Sequence, residues 1–185
     1  MTPPPVTLGN PNIPNDDRRT ASISSDTKYE GNDLIHNIEL SNPSNTTTTV
    51  TVTLTHGTTE PADIGTIQYT TDGGTTWNVA TPDTNGSFTV DVPAGSTGIQ
   101  VRVETNDDNI LEGRESYDIS VSTPGQTTAG TGTGTIVDDG SPIDPAEQTP
   151  PGTVTPPPGT PGNPNIPNDD RPTASISSDT KYEGN

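Results

Sequence analysis

The residues 106–115, Asn-Asp-Asp-Asn-Ile-Leu-Glu-Gly-Arg-Glu, carry four carboxylates at Asp107, Asp108, Glu112 and Glu115. They join a segment of strand periodicity ending near Val103 to another beginning near Ser116. Asp138 and Asp139 directly follow the apolar pair Ile136 and Val137, Glu30 follows the first such segment, and Asp63 lies in the turn Ala62-Asp63-Ile64-Gly65. If the intervening strands run up and down, these ends meet at one pole. Carboxylates held ~4–6 Å apart repel by an amount on the order of a kcal/mol or more per pair. Such a group needs cations, and only Lys28 and Arg114 stand nearby in the sequence. A ligand set rich in oxygen, poor in nitrogen and free of sulfur favours calcium over zinc or a redox metal. The alternative is an acidic loop that is simply solvated, and residue types alone leave both readings open.

Other chemistry has little support. His36 shares strand parity with Leu34 and Ile38, His56 stands beside Gly57 at a strand end, and neither belongs to a nucleophile elbow or a metal-ligand spacing. No catalytic residue and no enzymatic activity are expected. Trp77, the one tryptophan, sits on an alternating segment and is expected in the core, with a sugar-stacking platform as the other reading.

Positioning these groups requires strands. Val50, Val52 and Leu54 alternate with Thr49, Thr51, Thr53 and Thr55, the period-two pattern of a half-buried strand whose solvated face suits β-branched threonine. The alternation recurs at Leu34/Ile38/Leu40, Ile67/Tyr69, Trp77/Val79, Phe88/Val90/Val92, Ile99/Val101/Val103 and Tyr117/Ile119/Val121, with Ala21/Ile23 before and Ile136/Val137 after. Seven to nine short strands with frequent turn signals predict an antiparallel sandwich. One hairpin is explicit: Asp72-Gly73-Gly74 between two β segments supplies the positive φ that a tight turn needs. The stretch from Thr70 to Trp77 resembles the Asp-box of sialidases, which implies a structural hairpin.

Composition alone argues for disorder: 23% hydrophobic residues and a formal net charge of -18 over 185 residues. Pattern overrules it between the prolines, since 16 of the 21 lie before Thr20 or after Gly140. One compact domain, residues 20–140, is therefore expected between a Pro-rich linker at 1–19 and a Pro/Gly/Thr-rich linker at 141–172. With 7 basic against 25 acidic residues, neither nucleic acid nor an anionic membrane surface is an expected partner. The longest apolar runs are too short to insert into a membrane. The absence of cysteine excludes a disulfide framework and a thiolate metal site.

An internal repeat accounts for the flanks. Thr2–Asn32 matches Thr155–Asn185 at 28 of 31 positions, differing at Val6/Gly159, Leu8/Pro161 and Arg19/Pro172, an offset of 153 residues. That period is a whole domain plus its linker, so residues 173–185 are expected to open a truncated second copy in a tandem array. The linker, with Pro156-Pro157-Pro158 at its centre, favours polyproline II and reaches at most ~90 Å over about 30 residues.

Glu-Gly-Asn at 30–32, the acidic spacing at 107, 108, 112 and 115, and the ending Gly132-Thr133-Gly134-Thr135-Ile136-Val137-Asp138-Asp139 resemble the Calx-beta domain family. That family includes calcium-sensing modules of sodium-calcium exchangers and repeats of large bacterial surface adhesins. The resemblance spans roughly residues 20–140. It implies an all-β, immunoglobulin-like sandwich of about seven strands with calcium at one end, held by Glu30, Asp63, Asp107, Asp108, Glu112, Glu115, Asp138 and Asp139. Gly140 stands where exchanger modules usually carry a third terminal acid, and Asp63 maps only loosely onto the family pattern. The tandem period, linker and acidity favour the adhesin branch. That branch implies an extender repeat on a bacterial cell surface, secreted by the type I route, contacting neighbouring repeats of its own chain and otherwise monomeric. A calcium-dependent carbohydrate- or ligand-binding module is the alternative.

Overall fold

A computed structural model describes residues 19–108, 110 and 112–137 of the 185. The flanking linkers, Asp138, Asp139 and the second copy at 173–185 lie outside the described residues. Ten strands form: β1 Ala21–Ile23, β2 Asp26–Tyr29, β3 Leu34–Leu40, β4 Thr48–His56, β5 Ile64–Thr70, β6 Asn78–Val79, β7 Ser87–Val92, β8 Gly98–Thr105, β9 Glu115–Ser122 and β10 Gly130–Val137. No helix occurs among the described residues. One sheet has the order β1-β3-β8-β5-β6 and the other β2-β10-β9-β4-β7. Every ladder is antiparallel except β2 with β10. The chain is an all-β, immunoglobulin-like sandwich.

Alternation builds the core. On β4, Thr48, Val50, Val52 and Leu54 turn inward while Thr49, Thr51 and Thr55 face water. Opposite them stand Val90 and Val92 of β7 and Ile119 and Val121 of β9. The other sheet supplies Leu34, Ile38, Ile99, Val101 and Val103, all essentially excluded from solvent. A fully buried aliphatic side chain contributes about 1.5–3 kcal/mol, so this layer outweighs the low overall hydrophobic content.

Short pieces raise the strand number above seven. The first predicted strand divides at Ser24-Ser25: β1 pairs with β3, and β2 crosses to pair with β10 in the opposite sheet. The segment around Trp77 contributes only the two residues of β6, paired with Gln68 and Tyr69. A register shift between Ile64 and Ile67 in β5 lets both pack against the core, although positions three apart face opposite sides of a regular strand.

The glycines of β10 explain how the crossing fits. Gly134 lies beneath the Tyr117 ring, and a Cβ there would meet ring carbon Cζ at 2.0 Å. Gly132 and Gly130 leave room for the β1–β2 backbone, with a Cβ reaching Ser24 O at 2.7 Å and Ala21 O at 2.5 Å. Threonine between them points outward, so the Gly-Thr-Gly-Thr-Gly run is a strand with one face pared to the backbone.

Candidate metal centre

Three connections converge at the pole where β10 ends: the β2–β3 turn, the β4–β5 loop and the β8–β9 loop. Asn106 N–H donates to Asp63 O at 2.9 Å, and its side-chain amide donates to Ala62 O, joining the last two. Thr105 Oγ1 donates to Asn32 O at 2.7 Å and accepts from Asn32 N at 3.2 Å, joining the first. Gly31 has φ 70° and faces Asp107 so closely that a Cβ would lie 2.9 Å from the Asp107 Cβ. Glycine is required there twice over, by backbone conformation and by space. Glu30 is buried, and its N–H donates to Val137 O at 3.0 Å, fixing the turn to the end of β10.

Within this pole the structure brings together Asp63, Glu112 and Glu115, each offering a carboxylate oxygen within 4.8 Å of the others. Asp63 leads into β5 of one sheet, and Glu112 and Glu115 lead into and start β9 of the other. The cluster thus spans the open end of the sandwich. Burial pushes the Glu115 carboxyl up to about 7, reinforced by a hydrogen bond with Asp63 and by the charges of Asp63, Glu112 and Glu60. Desolvation and neighbouring negative charge both favour the neutral form of a carboxyl.

The donor set fits a hard divalent cation. All three ligands are carboxylate oxygens, and they lie within 4.8 Å of one another, close enough to share one ion at Ca–O distances of ~2.3–2.6 Å. Asp63, Glu112 and Glu115 would hold such an ion, which would place positive charge among three carboxylates.

The remaining candidates are placed differently. Glu30, Asp107 and Asp108 lie at the same pole, and among the described residues they are not part of the three-carboxylate group. Asp108 Oδ1 accepts the Ile110 N–H at 2.7 Å, shaping the loop. Asp138 and Asp139 are outside the described residues. Glu60 had not been singled out in the sequence: its N–H donates to Asp63 Oδ2 and its charge acts on Glu115. The signal was the turn Glu60-Pro61-Ala62-Asp63, which closes on itself when Asp63 N donates to Glu60 O at 3.2 Å.

Trp77 corrects an expectation. It is half-buried outside the core, with the Arg102 guanidinium carbon 4.4 Å from the ring centroid. Arg102 is on the outward parity of β8, where it also donates through Nε to Gln68 Oε1 at 2.9 Å. The hairpin that ends in Trp77 forms as the Asp-box resemblance implies. Asp72 Oδ1 accepts from Thr70 Oγ1 at 2.7 Å and Thr76 N at 2.9 Å, which holds its carboxyl down at about 2. His36 is buried with both ring nitrogens engaged, by Ser24 O and Tyr117 OH, and His56 Nδ1 lies 3.0 Å from Thr59 Oγ1.

No protein-family model matches the chain, and no curated protein matches it. Among solved structures, the chain is similar to the calcium binding domain CBD12 of CALX1.1, at 16% identity and TM-score 0.46 over 64% of this chain and 44% of that one. It is similar to the apo-form Calx CBD1 domain at 13% identity and TM-score 0.43, over 64% and 97% of the two chains. It is similar to the sixth cohesin of scaffoldin B from Acetivibrio cellulolyticus, solved with a Cel5 dockerin, at 14% identity and TM-score 0.38 over 65% and 98%. The chain spans less than half the length of the CBD12 structures it matches.

Proposed function

We propose that this chain is a calcium-stabilised sandwich repeat that serves as an extender in the stalk of a large bacterial surface adhesin, holding a distal binding region away from the cell. The observation that carries the ion site is the meeting of Asp63, Glu112 and Glu115 within 4.8 Å across the mouth of the sandwich. Each sheet brings carboxylate to the same space, so like charge opposes closure of this end when all three are ionised. With a cation bound, Asp63 ties the β4–β5 loop to the start of β9, so the pole becomes a cross-sheet clamp. The extender role is supported by the 153-residue repeat offset and by the proline-rich stretches that separate the copies. Folding coupled to calcium suits a secreted chain, kept loose in a low-calcium cytosol and stiffened outside the cell.

A thermal melt of the chain in chelator and in a few millimolar calcium tests the reading. At ~100 times the dissociation constant, linkage adds about 2.7 kcal/mol, a rise of several degrees in midpoint. Equal midpoints in the two conditions would remove the ion from the account.

The placement of Trp77 favours a second reading, a carbohydrate- or ligand-binding module. Its ring lies on the outer side of a sheet beside Arg102 and Gln68 rather than in the core. Glycan-array binding that disappears in Trp77→Ala would support this reading; no glycan bound with or without calcium would leave the extender alone.

A further inference from the structure

The segment that opens the sandwich occurs twice in the chain. Thr20–Asn32 and Thr173–Asn185 are identical at all 13 positions. The described copy occupies only edges: β1 borders one sheet beside β3, and β2 borders the other beside β10. Lifting it out leaves β3-β8-β5-β6 and β10-β9-β4-β7 still paired, each with one open row of backbone donors and acceptors.

The vacated slot is specific to this sequence. Gly130 and Gly132 give the passing backbone room that a Cβ would close. The Gln126 side chain grips Ala21, accepting its N–H at 2.9 Å and donating to its carbonyl at 3.1 Å. His36 Nδ1 donates to Ser24 O at 2.7 Å, and Asp26 Oδ2 accepts the Ile35 N–H at 2.8 Å. The second copy offers the same groups at Ala174, Ser177 and Asp179. One side-chain contact of the entry segment would be lost: Arg19 Nη1 donates to Thr48 Oγ1, and Pro172 stands at the matching position. The Arg19 carbonyl, which accepts from Thr123 Oγ1 at 2.6 Å, has an equivalent in Pro172.

We infer that the β1–β2 slot is a strand-acceptor site for the chain's own second copy, Thr173–Asn185. Reach permits it. The slot runs from Ala21 to Tyr29 with β2 parallel to β10, so a returning copy must enter ~25–30 Å back from the pole where β10 ends. The 35 residues between Val137 and Thr173 have a full polyproline II extension of ~110 Å, well beyond that distance. The returning copy's effective concentration is on the order of millimolar, above the micromolar level at which chains meet one another. The resident copy prevails in the unaltered chain because only four residues, 30–33, separate β2 from β3. A repeat whose first strand is pulled out or cut is then refilled from its C-terminal side. The inference does not depend on the ion site.

The test uses the full chain with Ala21→Asp and Ile23→Asp, which place charge at two buried positions of β1. This variant should melt cooperatively as a monomer at a lowered midpoint, and adding Ala174→Asp and Ile176→Asp should abolish the transition. Those last two substitutions alone should leave the midpoint unchanged. Because Ser22 pairs with Glu39 and the chain has no cysteine, Ser175→Cys with Glu39→Cys reports the exchange directly. An intramolecular disulfide should form in the Ala21→Asp/Ile23→Asp background and not in the otherwise unaltered chain. The inference is overturned if the first variant melts no better than the fourfold one. It is overturned equally if that variant folds only as a dimer, or if no intramolecular disulfide forms in its background.

Discussion

The Tyr117 hydroxyl donates to His36 Nε2 at 2.8 Å, joining β9 of one sheet to β3 of the other through the core. The direction is fixed from the far side of the ring: Nδ1 faces Ser24 O, which only accepts, so Nδ1 carries the proton and Nε2 receives. The rings meet edge to face, with centroids 5.7 Å apart at 72°. The same tyrosine covers Gly134, and the carbonyl at Nδ1 belongs to the residue where the first strand changes sheets. A histidine that the sequence places on the inward parity of Leu34 and Ile38 is the polar tie of the fold.

Tyr117→Phe leaves Nε2 buried without its donor and should cost about 1–3 kcal/mol in urea unfolding. No loss would mean that the bond contributes nothing.

Burial lowers the His36 pKa below its ordinary 6.5, against smaller upward contributions from the Ser24 carbonyl and Asp26. A depressed folded-state value gives stability that is present above pH 6.5 and lost as pH falls through the folded value. Glu115 has the opposite sign, because its folded value of about 7 exceeds the ordinary 4.5. Midpoints measured in a Glu115→Gln background should therefore fall on acidification, and His36→Gln should flatten that fall. An equally steep fall with His36 removed would place the titration elsewhere.

The acid pole predicts a second pH effect. In chelator, Glu115 binds more proton in the native state than in the unfolded chain between about pH 4.5 and 7, so this group makes stability decline as pH rises across that range. Glu115→Gln should raise the metal-free midpoint at pH 7.5–8, a range above about 7, while reducing any gain from calcium. A lower metal-free midpoint would show the carboxylate to be stabilising on its own.

Gly134→Ala drives a Cβ into the Tyr117 ring and should destabilise by about 1–3 kcal/mol or more. Gly98→Ala, where a Cβ meets nothing within 4 Å, should stay within about 0.5 kcal/mol of the unaltered chain. Equal effects would contradict the packing described for β10.

The strands were readable because their inward positions repeat every second residue, as at Val50, Val52 and Leu54. The crossing at Ser24-Ser25 was not, since nothing in Ala-Ser-Ile-Ser-Ser-Asp says that consecutive short strands join different sheets. Trp77 misled because alternation with Val79 does not reveal that β6 is a two-residue edge whose outer face is available to an aromatic ring. At the acid pole, residue types pointed to several loops at once. Which carboxylates meet depends on the Asn106 bonds to Asp63 and Ala62, contacts that link positions more than 40 apart. Glu60 enters through its turn with Asp63, a local geometry hidden behind Pro61.

Calcium titration of the chain by isothermal calorimetry, beside the variant Asp63→Asn/Glu112→Gln/Glu115→Gln, bears most directly on the proposed site. The account predicts saturable binding by the unaltered chain at or below millimolar calcium, and weakening of at least about tenfold, or ~1.4 kcal/mol, when the three charges are removed with shape preserved. Binding of the same affinity by both chains, or no binding by the unaltered chain at millimolar calcium, would contradict it.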